Sequence, residues 1–293
     1  MTMHRLILIL AAVMSLPLTA HAQLDVQLEL KRRIFLRGEP IEAAVTIRNL
    51  TGREVTLRDT PGNPWFGFEI FRDGVPVPPS DPSYRNQPVT IRTGDSVTRT
   101  VNLLKLFPVN ELATYKARAA IYFSESKKDF VSQQLTLDIS EGRKVFTQTV
   151  GVPESLGGSR GENRVMRLIT FQQPKEIVLY GRVEDEATGT ILGTYPLGRM
   201  ISGAVPAAEF SNDNTMYAFH MTGPSLYALS KIGVNGEWLG QSLWHAPKGR
   251  AAVRKNRDGD MVVVGASRER DPAAGGPPVP KLSDAPPVPI PAE

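Results

Sequence analysis

From residue 23 onward, apolar and polar residues mostly alternate at period two, the spacing of a strand that buries one face. In Q-L-D-V-Q-L-E-L-K (23–31), Leu24, Val26, Leu28 and Leu30 share a side. After Gly38-Glu39-Pro40 the pattern returns as Ile41, Ala43, Val45 and Ile47, and ends at Asn49 and Thr51-Gly52. Val55 and Leu57 follow. Phe66, Phe68 and Ile70 then lead into Arg72-Asp73-Gly74-Val75, a hairpin signal because Asp and Gly tolerate the positive φ of a tight turn. Val89 and Ile91 precede Thr93-Gly94-Asp95, after which come Val97, Val101 and Leu103. The longest clean alternation is Tyr115, Ala117, Ala119, Ile121 and Phe123, and Leu135, Leu137 and Ile139 close the series. About seven to nine short strands with turns every 8–12 residues, and no helical stripe, predict an antiparallel sandwich over 23–152.

Residues 153–161 break this composition with Ser155, Gly157, Gly158, Ser159 and Gly161, which predicts a Gly-rich linker. Strand patterns resume over 162–267: Val165–Phe171, Ile177–Val183, Ile191–Tyr195, Met216–Met221, Leu226–Ile232, Trp238–Trp244 and Met261–Gly265. Laid on itself, this stretch repeats. Leu179-Tyr180 recurs as Leu226-Tyr227 and Ile191-Leu192-Gly193 as Trp238-Leu239-Gly240, both 47 residues on; Asn212-Asp213-Asn214 falls near Arg257-Asp258-Gly259, 45 residues on. A period of this size resembles β-propeller blades. Two copies are too few to close a ring, which leaves face-to-face packing of two blade-like sheets or completion through oligomerisation, and the first is expected because an open blade edge invites aggregation. The whole is expected to be all-β: an immunoglobulin-like sandwich followed by a smaller unit of two repeats of about 46 residues.

The first unit also carries a family resemblance. L-R-G-E-P-I-E-A-A-V-T-I-R-N-L-T-G-R-E-V-T-L (36–57), F-E-I-F-R-D-G (68–74), I-R-T-G-D-S-V (91–97) and T-Y-K-A-R-A (114–119) resemble bacterial Ig-like modules of the BsuPI proteinase-inhibitor type. Ala113 stands where many such modules have Gly. The resemblance implies a sandwich fold and, as a second functional reading, inhibition of a proteinase through an exposed loop, with Pro76–Pro88 rigid enough to present a bond. Tyr115, near the start of a late strand, fits a tyrosine corner.

The termini address the chain rather than build it. A positive end (Met1–Arg5), an apolar run (Leu6–Leu18) and the small-x-small site Ala20-His21-Ala22 read as a signal peptide cut after Ala22. Its run of about 13 residues is shorter than a bilayer span. Periplasmic or extracellular localisation follows, with no transmembrane segment expected in the mature chain. Residues 268–293 are rich in proline and poor in large apolar side chains, the composition of a disordered tail.

Composition narrows the chemistry further. The chain has no cysteine, which excludes thiol nucleophiles, thiolate metal sites and disulfides. The net charge of +4 falls to about +3 when Arg5 leaves with the leader, too little to call for nucleic acid. Gly157-Gly158-Ser159-Arg160-Gly161 matches G-x-S-x-G, but neither the strand nor the helix that a nucleophile elbow needs flanks it; a serine hydrolase using Ser159 with Asp213 and His220 or His245 is the third reading. His220 and His245 lack a third zinc ligand at suitable spacing, and Glu184-Asp185-Glu186 and Asp258/Asp260 read as hairpin turns rather than calcium loops, so no cofactor or metal is expected. What remains are aromatics and basic residues with two readings each: Trp65 in its Pro-Gly loop as core lid or binding-surface aromatic, Trp238 and Trp244 on one face of their strand as core or aromatic platform, and Arg250 and Arg254 in a basic stretch as a solvated face or a site for an anionic envelope polymer. They point to an exported, non-enzymatic binding or scaffold protein whose partner is a protein or an envelope polysaccharide.

Overall fold

The computed structural model describes residues 24–81, 85–247 and 251–269. The leader, part of the Pro76–Pro88 loop, Arg250 and nearly all of the Pro-rich tail lie outside these. The chain is all-β, in two compact units that divide between Glu141 and Gly142. Among the described residues no helix is long and apolar enough to cross a membrane.

The first unit comprises β1 (Leu24–Leu30), β2 (Ile34–Leu36), β3 (Glu42–Asn49), β4 (Val55–Leu57), β5 (Phe66–Arg72), β6 (Val75–Val77), β7 (Val89–Ile91), β8 (Ser96–Asn102), the helical turn α1 (Leu103–Leu106), β9 (Thr114–Phe123), β10 (Lys128–Val131) and β11 (Leu135–Ser140). One sheet runs β1-β3-β8 and the other β2-β11-β9-β5-β6, with β10 also on β9 and β4 paired to β7. Their inner faces share one core, supplied by the alternating residues Leu24, Val26 and Leu28 from one side and Phe66, Ile70 and Ile121 from the other. Asn49 is a buried polar group that ties the core together. The Asn49 amide donates to the carbonyls of Arg53 (2.7 Å) and Ile91 (2.9 Å) while its oxygen accepts from the Thr51 amide, binding three segments at one point. The Tyr115 hydroxyl donates to the Glu111 carbonyl four residues upstream, at 3.4 Å.

The second unit begins earlier than expected. Its strands are β12 (Arg143–Gly151), β13 (Asn163–Gln172), β14 (Ile177–Asp185), β15 (Ile191–Met200), β16 (Ala207–Phe210), β17 (Met216–Gly223), β18 (Leu226–Ile232), β19 (Trp238–His245), β20 (Ala252–Lys255), β21 (Met261–Val264) and β22 (Ser267–Arg268). β12 pairs with β13 from Arg143↔Thr170 to Gly151↔Asn163, so residues 143–151 belong to the second unit rather than to the sandwich. The Gly-rich stretch is accordingly the connection of a β-hairpin and not a linker. The Val152 amide donates to the Glu162 carbonyl (2.9 Å), the Ser159 amide donates to the Glu162 carboxylate (2.9 Å), and a single 3-10 turn spans Glu154–Leu156. The composition signal is genuine, but it marks the connection between two paired strands.

Two antiparallel meanders follow, β12-β13-β14-β15 and β16-β17-β18-β19, the latter extended by β22 on β19. They pack face to face over Met166, Leu168, Leu179, Val183, Met216 and Ile232. Gly181 stands at this contact, where a Cβ would lie 2.3 Å from the Ile232 Cδ1 and that side chain would have to shift. The other face of the second meander carries Phe219, Tyr227 and Leu229, packed against Val253 of the two-stranded β20–β21 hairpin. The expected Pro-rich tail starts one strand too soon: Arg268 pairs with Trp244, and the Glu269 amide donates to the Leu243 carbonyl.

The turn at 153–161 can be probed at Gly158, where an added Cβ would lie 2.3 Å from the Val152 carbonyl oxygen. We expect Gly158→Ala to destabilise the second unit by about 1–3 kcal/mol, because backbone must move to admit the methyl. Calorimetry measures this directly; a flexible linker would show no change in Tm.

Candidate functional site

The five residues expected at an interaction surface have separate fates. Trp65 is wholly buried, not exposed: its indole N–H donates to the Gln87 carbonyl (3.1 Å), its amide donates to Asp59 (2.8 Å), and the Arg99 guanidinium lies 5.1 Å from the ring. Of the two roles its Pro-Gly loop allowed, core lid and binding-surface aromatic, Trp65 takes the first, and the loop folds its one large apolar group into the sandwich core. Arg250 lies outside the described residues. Arg254 is exposed on β20.

Trp238 and Trp244 do not share a face. Pairing between β18 and β19 shifts register: Lys231 opposes Gly240 but Ile232 opposes Trp238, leaving Leu239 as the extra residue of a bulge. The bulge inverts the alternation. Trp244, opposite Tyr227, lies on the face of the second meander turned to the β20–β21 hairpin; Trp238, opposite Ile232, lies on the face turned to the first meander, its ring 5.5 Å from that of Tyr195. The first meander bulges at the matching place, where Val183 opposes Gly193 and Glu184 opposes Ile191, skipping Leu192. Gly240 adopts a φ of 108°, a conformation costly for other residues.

On the hairpin side, two open grooves flank β20–β21 because two strands are too few to cover the four beneath. The first, of about 480 Å³, is lined by Tyr217, Lys231, Leu239, Trp244, Val263 and Arg268. The Lys231 ammonium sits 5.2 Å from the Tyr217 ring centre, and the Trp244 indole N–H donates to the Ser242 hydroxyl (3.0 Å). Burial, followed by the charges of Asp213 and Asp260, pushes the Tyr217 hydroxyl above its ordinary pKa, so it stays a neutral donor. Both charged residues that line this groove, Lys231 and Arg268, are cationic. The second groove, about 690 Å³, runs along the other side of the hairpin over the stacked Phe219 and Tyr227 rings, 5.0 Å apart, with Glu209 and Arg254 at its walls.

Tyr217 and Lys231 escaped the sequence reading, although a signal was present. M-Y-A-F-H-M (216–221) is apolar on both faces, which marks a strand covered on both sides and so a third layer above it.

The Ser159, Asp213 and His220 set is not assembled. Ser159 lies exposed in the β12–β13 turn. Asp213 is committed to its own turn, accepting from the Ser211 hydroxyl (2.5 Å) and the Thr215 hydroxyl (3.1 Å). His220 is buried, with its Nε2 3.2 Å from the Arg199 carbonyl, which fixes the Nε2–H tautomer, and its Nδ1 has no hydrogen-bond partner among the described residues. Nothing therefore orients this imidazole as a general base. Among the described residues no group of three or more His, Cys, Asp or Glu side chains is arranged to hold a metal.

Burial lowers the His220 pKa to about 4, with the Arg199 carbonyl opposing weakly. The unfolded chain takes up its proton near the ordinary value of about 6.5 while the folded chain does not, so stability rises with pH between the two values. This contribution is complete above about 6.5 and is lost as pH falls toward 4, by an amount on the order of 3 kcal/mol. Calorimetric unfolding of wild type and His220→Asn at several pH values should give a difference that shrinks as the solution is acidified across this window. A pH-independent difference would contradict a neutral, buried imidazole.

No protein-family model matches the chain, and no curated protein matches its sequence. Among solved structures it is similar to the crystal structure of Spo0M, a sporulation control protein from Bacillus subtilis, at 10% identity over 57% of this chain and 82% of that one, with a TM-score of 0.27. At that score the likeness transfers neither fold nor function.

Proposed function

We propose that the chain is an exported, non-enzymatic binding or scaffold protein of the cell envelope, and that its recognition surface is the aromatic groove beside Trp244. The first unit is then a supporting immunoglobulin-like module of the BsuPI type, a reading supported by its two facing sheets, its core alternation and the Tyr115 hydroxyl bonded upstream. The second unit is a pair of blade-like repeats, supported by the matching bulges at Leu192 and Leu239, 47 residues apart.

One observation carries the binding reading. The groove joins half-buried aromatic rings and two cationic groups to a strand edge, β21, that pairs with nothing among the described residues on its outer side. Rings and apolar walls give contact area, while an open edge gives backbone N–H and C=O groups to satisfy. Together they suit an extended polypeptide better than a polysaccharide, whose hydroxyls would leave that ladder mostly unpaired.

Titrating Trp fluorescence with extended peptides selected on an array should reveal binding that Trp244→Ala weakens about tenfold or more, roughly 1.4 kcal/mol. A panel of envelope polysaccharides serves as the comparator. Equal peptide affinity for wild type and Trp244→Ala would contradict the groove assignment. An esterase or peptidase activity abolished by Ser159→Ala would replace it with an enzyme.

A further inference from the structure

We infer that the groove's polypeptide partner is a second copy of this chain, joined through antiparallel pairing of β21 with its symmetry mate. The inference rests on the binding reading above and names the occupant of that same groove.

The hairpin is half of a sheet. β20 and β21 begin 45 residues after β16 and β17, respectively, and the Asn256–Asp260 turn stands where Ser211–Thr215 joins the earlier pair. The two preceding meanders each have four strands, whereas the third layer has two among the described residues. A pair of hairpins placed edge to edge restores four.

The edge is also unguarded. Several other edge strands carry devices that discourage pairing, among them Pro76 in β6, Lys128 and Asp129 in β10, Arg143 and Lys144 in β12 and Pro196 in β15, while the three-residue strands β2, β4 and β7 do not. β21 reads Met-Val-Val-Val, with neither charge nor proline, and Val262 and Val264 are 37% and 41% exposed on its outer face. Its outward groups follow from the ladder. The Asn256 amide donates to the Asp260 carbonyl, so in the antiparallel alternation the pairs Arg254/Val262 and Ala252/Val264 exchange bonds across the hairpin. The N–H and C=O of Met261 and Val263 then point away from β20.

The chain's own tail is a poor donor for this edge. Prolines at 272, 277, 278, 280, 286, 287, 289 and 291 interrupt the tail, and the longest run between them, 281–285, carries Lys281 and Asp284 where β21 is wholly apolar. A second β21 is fully equipped. A two-fold axis at Val262 sets Met261 against Val263 of the partner subunit and Val263 against Met261 of the partner subunit, so every outward N–H and C=O is used. The inward side chains of the added strand enter the groove over Tyr217 and Trp244.

This register is specific enough to test by sedimentation and cross-linking. The two copies of residue 262 would form a non-hydrogen-bonded pair with Cα atoms about 4.5 Å apart, within disulfide range, whereas two copies of residue 264 would be beyond it. Because the chain has no cysteine, single substitutions report cleanly. The purified chain should sediment as a dimer, Val262→Cys should oxidise to a covalent dimer, and Val264→Cys should not. Val263→Pro, which removes one outward amide, should raise the dimer dissociation constant about tenfold or more. If Val263→Pro does not fold, Val262→Lys sets two like charges opposite one another from an exposed position and should have the same effect. A monomer at micromolar concentration would overturn the proposal, as would a dimer that Val262→Lys leaves intact and Val262→Cys fails to cross-link. A monomer whose peptide binding still depends on Trp244 would exclude the second copy while leaving the groove's role in place.

Discussion

The second unit is governed by the need to cover both faces of the β16–β19 meander. One face is closed by the first meander through Met216, Ile232 and their neighbours. The other holds Phe219, Tyr227 and Leu229, which would expose a broad apolar surface if left open. The β20–β21 hairpin covers its middle through Val253, leaving grooves on either side. The candidate site is thus a consequence of layer arithmetic: two strands laid over four leave room at the margins, and those margins are lined by whatever the covered sheet presents there.

The bulge at Leu239 determines what is presented. Without it Trp238 and Trp244 would point the same way. With it, Trp244 is delivered to the groove and Trp238 to the contact between meanders, against Tyr195. Tyr195 is itself held by a 2.6 Å bond from its hydroxyl to the Gly236 carbonyl, and Gly193 admits the ring because a Cβ there would lie 2.7 Å from it. One inserted residue therefore turns Trp238, still 40% exposed, toward Tyr195 and leaves Trp244 lining the groove.

The all-β class was legible from period-two alternation, since that pattern follows directly from strand geometry and needs no tertiary information. The strands of the sandwich appear where Leu24–Leu30, Glu42–Asn49 and Thr114–Phe123 alternate. Three features were not legible, each because it depends on partners distant in sequence. Strand Arg143–Gly151 could be assigned to its unit only once its pairing with Asn163–Thr170 was known, and the glycines after it mark a turn and a domain break equally well. Trp65 sits in a loop that allowed either a core lid or a surface aromatic, and the choice depends on the Gln87 carbonyl of a neighbouring loop, which accepts from its indole. The faces of β19 depend on a bulge, which alternation alone cannot locate, although Gly193 and Gly240 recurring 47 residues apart were its trace.

Residue-resolved amide hydrogen exchange reads the ladder of β21 most directly. In dilute solution the Val262 and Val264 amides, bonded across the hairpin, should exchange slowly while those of Met261 and Val263 exchange quickly, and the latter pair should gain protection as protein concentration rises. Slow exchange at all four amides in dilute monomer would mean that the edge is already occupied within one chain. Fast exchange at all four would mean that the hairpin covering the meander is not formed, and either result contradicts the account.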